Sequence, residues 1–243
     1  MDPAENVRRN YEQVLERITR AEVRAGRSSP TVKLVVVTKS HPLQAVRSAI
    51  DAGARLFGEN YAEEGLAKIK ATGTLAGLEW HMIGHVQSRK AELVVRNFAL
   101  VHSLDSFKLA DRMNRASASL GWRQPVLIQV NVSGEASKFG FPAWLDDQVP
   151  FLISELERII DLPCLHLQGL MTVPPMGTEA ELSRPFFQRL RRLRDRLAQR
   201  FVDSDWAELS MGMSADYEVA VEEGATLIRV GTAILGERDH SGG

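Results

Sequence analysis

Short apolar runs alternate with amphipathic stretches along most of the chain. The runs at 34–37, 55–61, 78–83, 99–103, 125–132, 165–171, 206–210 and 226–230 have the length and β-branched content of strands. Between them, apolar positions recur at helical spacing over 42–52, 62–70, 86–97, 106–119, 144–160, 179–201 and 215–223. Ahead of the first strand, Asp2 and Pro3 make a helix start, and Val7, Tyr11, Val14, Leu15 and Ile18 share one face before Gly26 supplies a left-handed stop.

Strands that alternate with helices imply right-handed crossovers and a parallel sheet. The pattern predicts an α/β fold, a (β/α)8 TIM barrel with one additional N-terminal helix. A doubly wound open sheet shares the alternation, so spacing alone leaves closure open. No linker or low-complexity run divides the chain. A single domain over 1–243 is expected, with the helix at about 3–25 and the barrel at about 32–238.

Composition narrows the partners. The 30 basic and 31 acidic residues give a net charge of -1, so no global field recruits nucleic acid or an acidic membrane. Cys164 is the one cysteine, which excludes an intrachain disulfide and a cysteine-rich zinc site. No apolar run approaches the roughly 20 residues of a membrane span, and charges stand where a signal peptide would be apolar. A cytoplasmic protein is expected, and the lack of an evident apolar surface stripe favours a monomer. His41, His81, His85, His102 and His166 show no metal-ligand spacing, so they read as scattered core or surface residues and no metal is expected. The arginines between 189 and 200 lie on a helix with Phe186, Leu190, Leu193 and Leu197 as its buried stripe, which makes them a solvated face rather than an RNA site.

Two places carry candidate chemistry. The strand Leu34 to Val37 is followed by Thr38 and Lys39. A lysine that closes a strand is ordinarily a solvated side chain, but the C-terminal face of a parallel barrel is where sites are built, and an amine there suits carbonyl chemistry. The second place runs from Ser210 through Met211, Gly212, Met213, Ser214 and Ala215 to Asp216, with Arg229, Val230, Gly231 and Thr232 after it. Strand, glycine turn, Ser214 as N-cap and helix collect N–H groups and hydroxyls at one corner, which suits a phosphate; the plain alternative is a capped helix and a turn. In a closed barrel the first and last strands are neighbours. A phosphorylated aldehyde held near Ser214, Gly231 and Thr232 then presents its carbonyl to Lys39 for a Schiff base, a combination that points to pyridoxal 5'-phosphate (PLP).

Ordered segments from 34 to 238 resemble the pyridoxal phosphate homeostasis protein family, the barrel-only relative of the alanine racemase N-terminal domain. They are Val37 to Lys39, Phe57 to Tyr61, Trp80 to Gly84 with Gln87 and Lys90, Gln129 to Val132, Ser137 to Gly140, Gly169 to Met171, Ser210 to Asp216 and Arg229 to Gly236. The resemblance implies that Lys39 carries PLP as an aldimine and that Ser214, Gly231 and Thr232 hold the phosphate, assisted by backbone N–H groups near Met213. It also implies that Arg229 stands beside the pyridine nitrogen and Asn60 near the phenolic oxygen. A cation beside that nitrogen disfavours its protonation and makes the ring a weaker electron sink. Val86, Arg89 and Leu235 depart from the commonest family wording without touching these positions.

The implied role is reversible PLP holding within intracellular PLP homeostasis, without fast turnover, with no catalytic residue. Apo PLP-dependent enzymes are the candidate recipients. The alternative is a PLP-dependent racemase or decarboxylase of low activity. Racemisation needs an acid/base on each face of the substrate, and the additional β-domain that the resemblance associates with alanine racemase has no room before Gly243. Lys138, in a loop after the fifth strand, is an ordinary loop lysine or a transient second acceptor of the aldehyde.

Overall fold

The computed structural model describes residues 2–27, 30–73, 75, 77–175 and 179–237. The chain opens with α1 (Pro3–Arg24), where the Asp2 carboxylate accepts the Ala4 N–H at 3.1 Å. There follow β1 (Lys33–Val37), α2 (Leu43–Asp51), β2 (Leu56–Glu59), α3 (Ala62–Thr72), β3 (Glu79–Met82), α4 (Ala91–Asn97), β4 (Leu100–Leu104) and α5 (Phe107–Leu120). The second half contains β5 (Gln124–Asn131), β6 (Phe141–Pro142), α6 (Val149–Ile160), β7 (Leu165–Met171), α7 (Ala180–Arg200), β8 (Glu208–Ser210), α8 (Tyr217–Glu222), β9 (Leu227–Val230) and α9 (Thr232–Leu235).

The sheet order is β4-β3-β2-β1-β9-β8-β7-β5, and β4 pairs back onto β5. All these pairings are parallel, so eight strands close into a barrel and the open doubly wound sheet is excluded. Strand alternation divides the core in two. Val35, Leu100, Leu127, Met171 and Leu227 cluster inside the barrel. Leu34, Val36, Phe57, Ile228 and Val230 belong to the larger layer between barrel and helices. No helix among the described residues is long and apolar enough to cross a membrane.

Four expectations change. The helix expected over 86–97 begins only at Ala91: Gln87 is extended, and a single 3-10 turn, Ser88–Lys90, intervenes. Val86 is buried after the turn at Gly84, and its apolar character extended the apparent periodicity. The stretch at 144–160 starts as a 3-10 turn, Asp146–Gln148, and becomes α-helical at Val149, because Pro150 is tolerated only in a first helical turn. The loop after β5 contains β6, which pairs Val130 with Phe141 and Asn131 with Pro142 at an edge where proline's missing N–H costs little. On α7, Phe187 rather than Phe186 is fully buried with Leu190, Leu193 and Leu197. Residue 238, the expected end of the barrel, lies outside the described residues.

Candidate functional site

Residues 38 and 39 leave β1 beside the residues that leave β9, since Val36 pairs with Val230 across the sheet. A Cβ on Gly231 would lie 3.1 Å from the Val37 carbonyl oxygen, so the two exits touch through backbone. The strand order β2-β1-β9-β8 therefore brings the C-terminal exits of four strands to one side of the mouth. A cavity of about 410 Å³ opens there, and Lys39, Asn60, Met213, Ser214, Arg229, Gly231 and Thr232 all line it.

The segment between β8 and α8 differs from its expected form. Ser214 does not cap α8: the N-cap position is Asp216, and the Ser214 hydroxyl instead accepts the Ala233 N–H at 3.3 Å. The Met213 N–H, expected among the phosphate donors, is held by Asp216 Oδ1 at 2.7 Å. An Asx-type side chain competes well for a nearby N–H, which removes it from the helix start. Gly212, at φ +91°, makes the reversal that lets 213–216 fold back, and a Cβ there would collide with Ala220 Cβ at 2.5 Å.

Arg229 reaches into the barrel from β9 and is only 4% exposed. Its Nη1 donates to Ser210 Oγ at 2.5 Å and its Nη2 to the Thr172 carbonyl at 2.8 Å. Burial pushes its pKa down to about 10, an effect the charge of Asp216 opposes, and the guanidinium stays charged at neutral pH. Beyond Ser210 lie His102 and then His81. His102 Nδ1 is 2.7 Å from Ser210 Oγ, and His102 Nε2 is 3.0 Å from His81 Nδ1. His102 is held neutral, well below its usual pKa, first by burial and then by His81 and Arg229. The histidines expected to be scattered thus include one bonded pair. Among the described residues no three His, Cys, Asp or Glu side chains group as metal ligands.

Asn60 follows β2 and is fixed by close packing: a Cβ on Gly84 would lie 2.3 Å from the Asn60 carbonyl oxygen. Asn60, Ile83, Met171 and Val173 also border a second cavity of about 450 Å³, and Lys138 lines that one rather than the first. The Lys138 ammonium donates to the Pro174 carbonyl at 3.2 Å.

Sequence reasoning missed Ser210, His102 and His81 as companions of Arg229, and Asp216 as the partner of Met213. Strand parity held the signal for the histidines: in β4, Leu100 belongs to the interior cluster and His102 stands two positions on, the side chain of each pointing to the same face. Asp216 closes the segment Ser210 to Asp216, but its partner depends on a turn that spacing does not define.

Residues 5–239 match the family described as the alanine racemase N-terminal domain. The chain is 41% identical to the pyridoxal phosphate homeostasis protein of Vibrio cholerae, covering 97% of this chain and 98% of that one. It is 42% identical to the protein of the same name from Aquifex aeolicus, covering 94% and 96%. The solved structure of PipY from Synechococcus elongatus, described as having PLP bound, superposes with a TM-score of 0.78 at 36% identity, covering 90% of this chain and 100% of that chain. The chain belongs to the alanine racemase N-terminal domain family and, within it, to the pyridoxal phosphate homeostasis proteins.

Proposed function

We propose that this chain, as one barrel domain in the cytoplasm, binds pyridoxal 5'-phosphate reversibly through Lys39 and takes part in PLP homeostasis. The observation that carries the reading is the single cavity lined by an amine, a buried guanidinium, a side-chain amide and a hydroxyl-bearing corner. Those groups fit a phosphorylated pyridine aldehyde one for one. When bound, the cofactor supplies an aldehyde that condenses with an amine, releasing water, and is set free again when water adds back. Lys39 is the amine. Ser214, Gly231 and Thr232 would hold the phosphate, and Asn60 would serve the ring's phenolic oxygen. Met213 contributes to that corner through its position in the loop, since its N–H already serves Asp216.

Arg229 decides what the site does. A guanidinium has donors and no acceptor, so a ring nitrogen held against it would stay unprotonated. Such a ring withdraws electrons weakly and does not support fast carbanion chemistry. Binding, release and hand-over to apo PLP-dependent enzymes, by a monomer, are therefore the activities proposed, and turnover is not. The names of the homeostasis relatives and the PLP-bound PipY structure agree with this reading.

Purified protein incubated with PLP should absorb in the visible, lose that band on borohydride reduction and carry the added mass on the Lys39 peptide. A Lys39→Ala protein that kept the spectrum with normal affinity would refute the assignment. Steady production of D-amino acid at enzymatic rates would refute the non-enzymatic role.

A further inference from the structure

Lys68 is a buried cation outside the cavity. Its side chain, 8% exposed, extends from α3 behind the strand exits. An ammonium has three donors, and three oxygens surround this one: the Thr38 carbonyl at 2.5 Å, Glu59 Oε1 at 2.7 Å and Glu64 Oε1 at 2.7 Å. The Thr38 hydroxyl donates to the same Glu59 oxygen at 2.5 Å, and the Ser40 backbone N–H donates to Glu64 Oε1 at 2.6 Å. The Thr38 carbonyl belongs to the peptide unit before Lys39, and the Ser40 N–H to the unit after it. Both peptide units of Lys39 are thus tied to one charged cluster.

Two observations set this cluster apart from ordinary stabilising packing. Ser40 has φ +58°, the left-handed region, at a cost of roughly 1–2 kcal/mol for a residue with a Cβ. Such a conformation persists only where the surroundings fix it on both sides. In addition, Glu59 is fully buried and its Oε2 has no hydrogen-bond partner among the described residues. A buried ionic cluster with an unsatisfied oxygen is a poor route to stability compared with apolar packing, and fixing geometry is the best-attested use of such clusters.

We propose that Lys68, Glu59 and Glu64 are positioning residues for Lys39: they clamp the strained turn that directs its side chain to the cavity, and so set how readily its amine bonds to an aldehyde. The proposal rests on the reading of Lys39 as the PLP amine. It is tested by measuring the affinity of wild type, Lys68→Met, Glu64→Ala and Glu64→Gln for two ligands. PLP carries ring, phosphate and aldehyde; 4'-deoxypyridoxine 5'-phosphate lacks the aldehyde. Glu64 is partly exposed, so its variants remain informative where Lys68→Met fails to fold.

For Lys68→Met and Glu64→Ala, the PLP dissociation constant should rise tenfold or more, while that of the deoxy ligand stays within threefold of wild type. Glu64→Gln retains an oxygen for the Ser40 N–H and should stay within threefold for both. Equal losses for both ligands, no loss for either, or a glutamine variant that behaves like alanine would each overturn the proposal. A wild-type protein that gives no borohydride-fixed adduct at Lys39 refutes the underlying reading, and the proposal with it.

Discussion

His102 Nε2 and His81 Nδ1 lie 3.0 Å apart inside the barrel, and His102 Nδ1 lies 2.7 Å from the same Ser210 hydroxyl that accepts from Arg229. Arg229 can only donate, so Ser210 Oγ accepts from it and keeps its own hydrogen and a second lone pair for His102 Nδ1. On the far side of the pair, His81 Nε2 lies 3.7 Å from the Glu79 carboxylate. One serine hydroxyl thus orders the polar interior. Ser210→Ala should leave a buried guanidinium hydrogen and a buried imidazole nitrogen unpaired, at a cost of about 2–4 kcal/mol. Urea unfolding measures this, and a loss below about 0.5 kcal/mol would mean that the hydroxyl does not organise the chain.

His102 also makes the fold acid-sensitive. Its folded pKa lies well below the usual 6.5, so as pH falls below that value the unfolded chain takes up a proton that the folded chain refuses. The contribution is fully present above pH 6.5 and is lost on the acid side, by up to about 1.4 kcal/mol per pH unit. Glu59, raised by burial, acts in the opposite sense: its contribution is present at low pH and fades as pH rises above about 4.5. Unfolding free energies at pH 7.5, 6.5 and 5.5 should fall more steeply in the wild type than in His102→Gln. Parallel slopes would show that the wild-type imidazole accepts a proton within the folded barrel.

The alternation of apolar runs made the barrel legible, because each strand buried on the helix side announces itself in sequence, as Leu34 and Val36 or Ile228 and Val230 do. Lys39, Gly231 and Thr232 were legible for the same reason: they stand at strand ends whose adjacency follows from closure. The interior partners of Arg229 were not, since His81, His102 and Ser210 come from three other strands and join it only once the barrel is closed. The Lys68 cluster was hidden differently. On α3 a lysine reads as solvated, and nothing in its spacing reveals that it turns under the exits of β1 and β2.

Gly84 couples packing to Asn60. An added Cβ would approach the Asn60 carbonyl oxygen to 2.3 Å and its Cα to 2.6 Å, and backbone cannot yield as a side chain does. Gly84→Ala should therefore destabilise by about 1–3 kcal/mol and displace Asn60. PLP affinity should fall at least several-fold with it. Gly121→Ala is the control: its φ of +66° strains an alanine, but nothing lies within 4 Å of the new methyl, so the melting temperature should drop while affinity holds. Equal affinity in both variants would remove Asn60 from the site.

Asp216 faces two tasks that pull apart. Its Oδ1 fixes the loop by accepting the Met213 N–H at 2.7 Å, while its charge lies beside the corner assigned to a phosphate. Asp216→Asn keeps a side-chain oxygen for Met213 and removes the charge. Losing a like-charge repulsion of about 1 kcal/mol should tighten PLP and 4'-deoxypyridoxine 5'-phosphate alike by about fivefold at low salt. The gain should shrink as ionic strength rises, because the mouth is open to solvent and screening grows. A second effect works the same way on both ligands: Asp216 offsets part of the burial that depresses Arg229, so its removal lowers the guanidinium pKa further from about 10. Weaker binding of both ligands in Asp216→Asn would instead mean that the carboxylate's hold on Met213 outweighs its repulsion of phosphate.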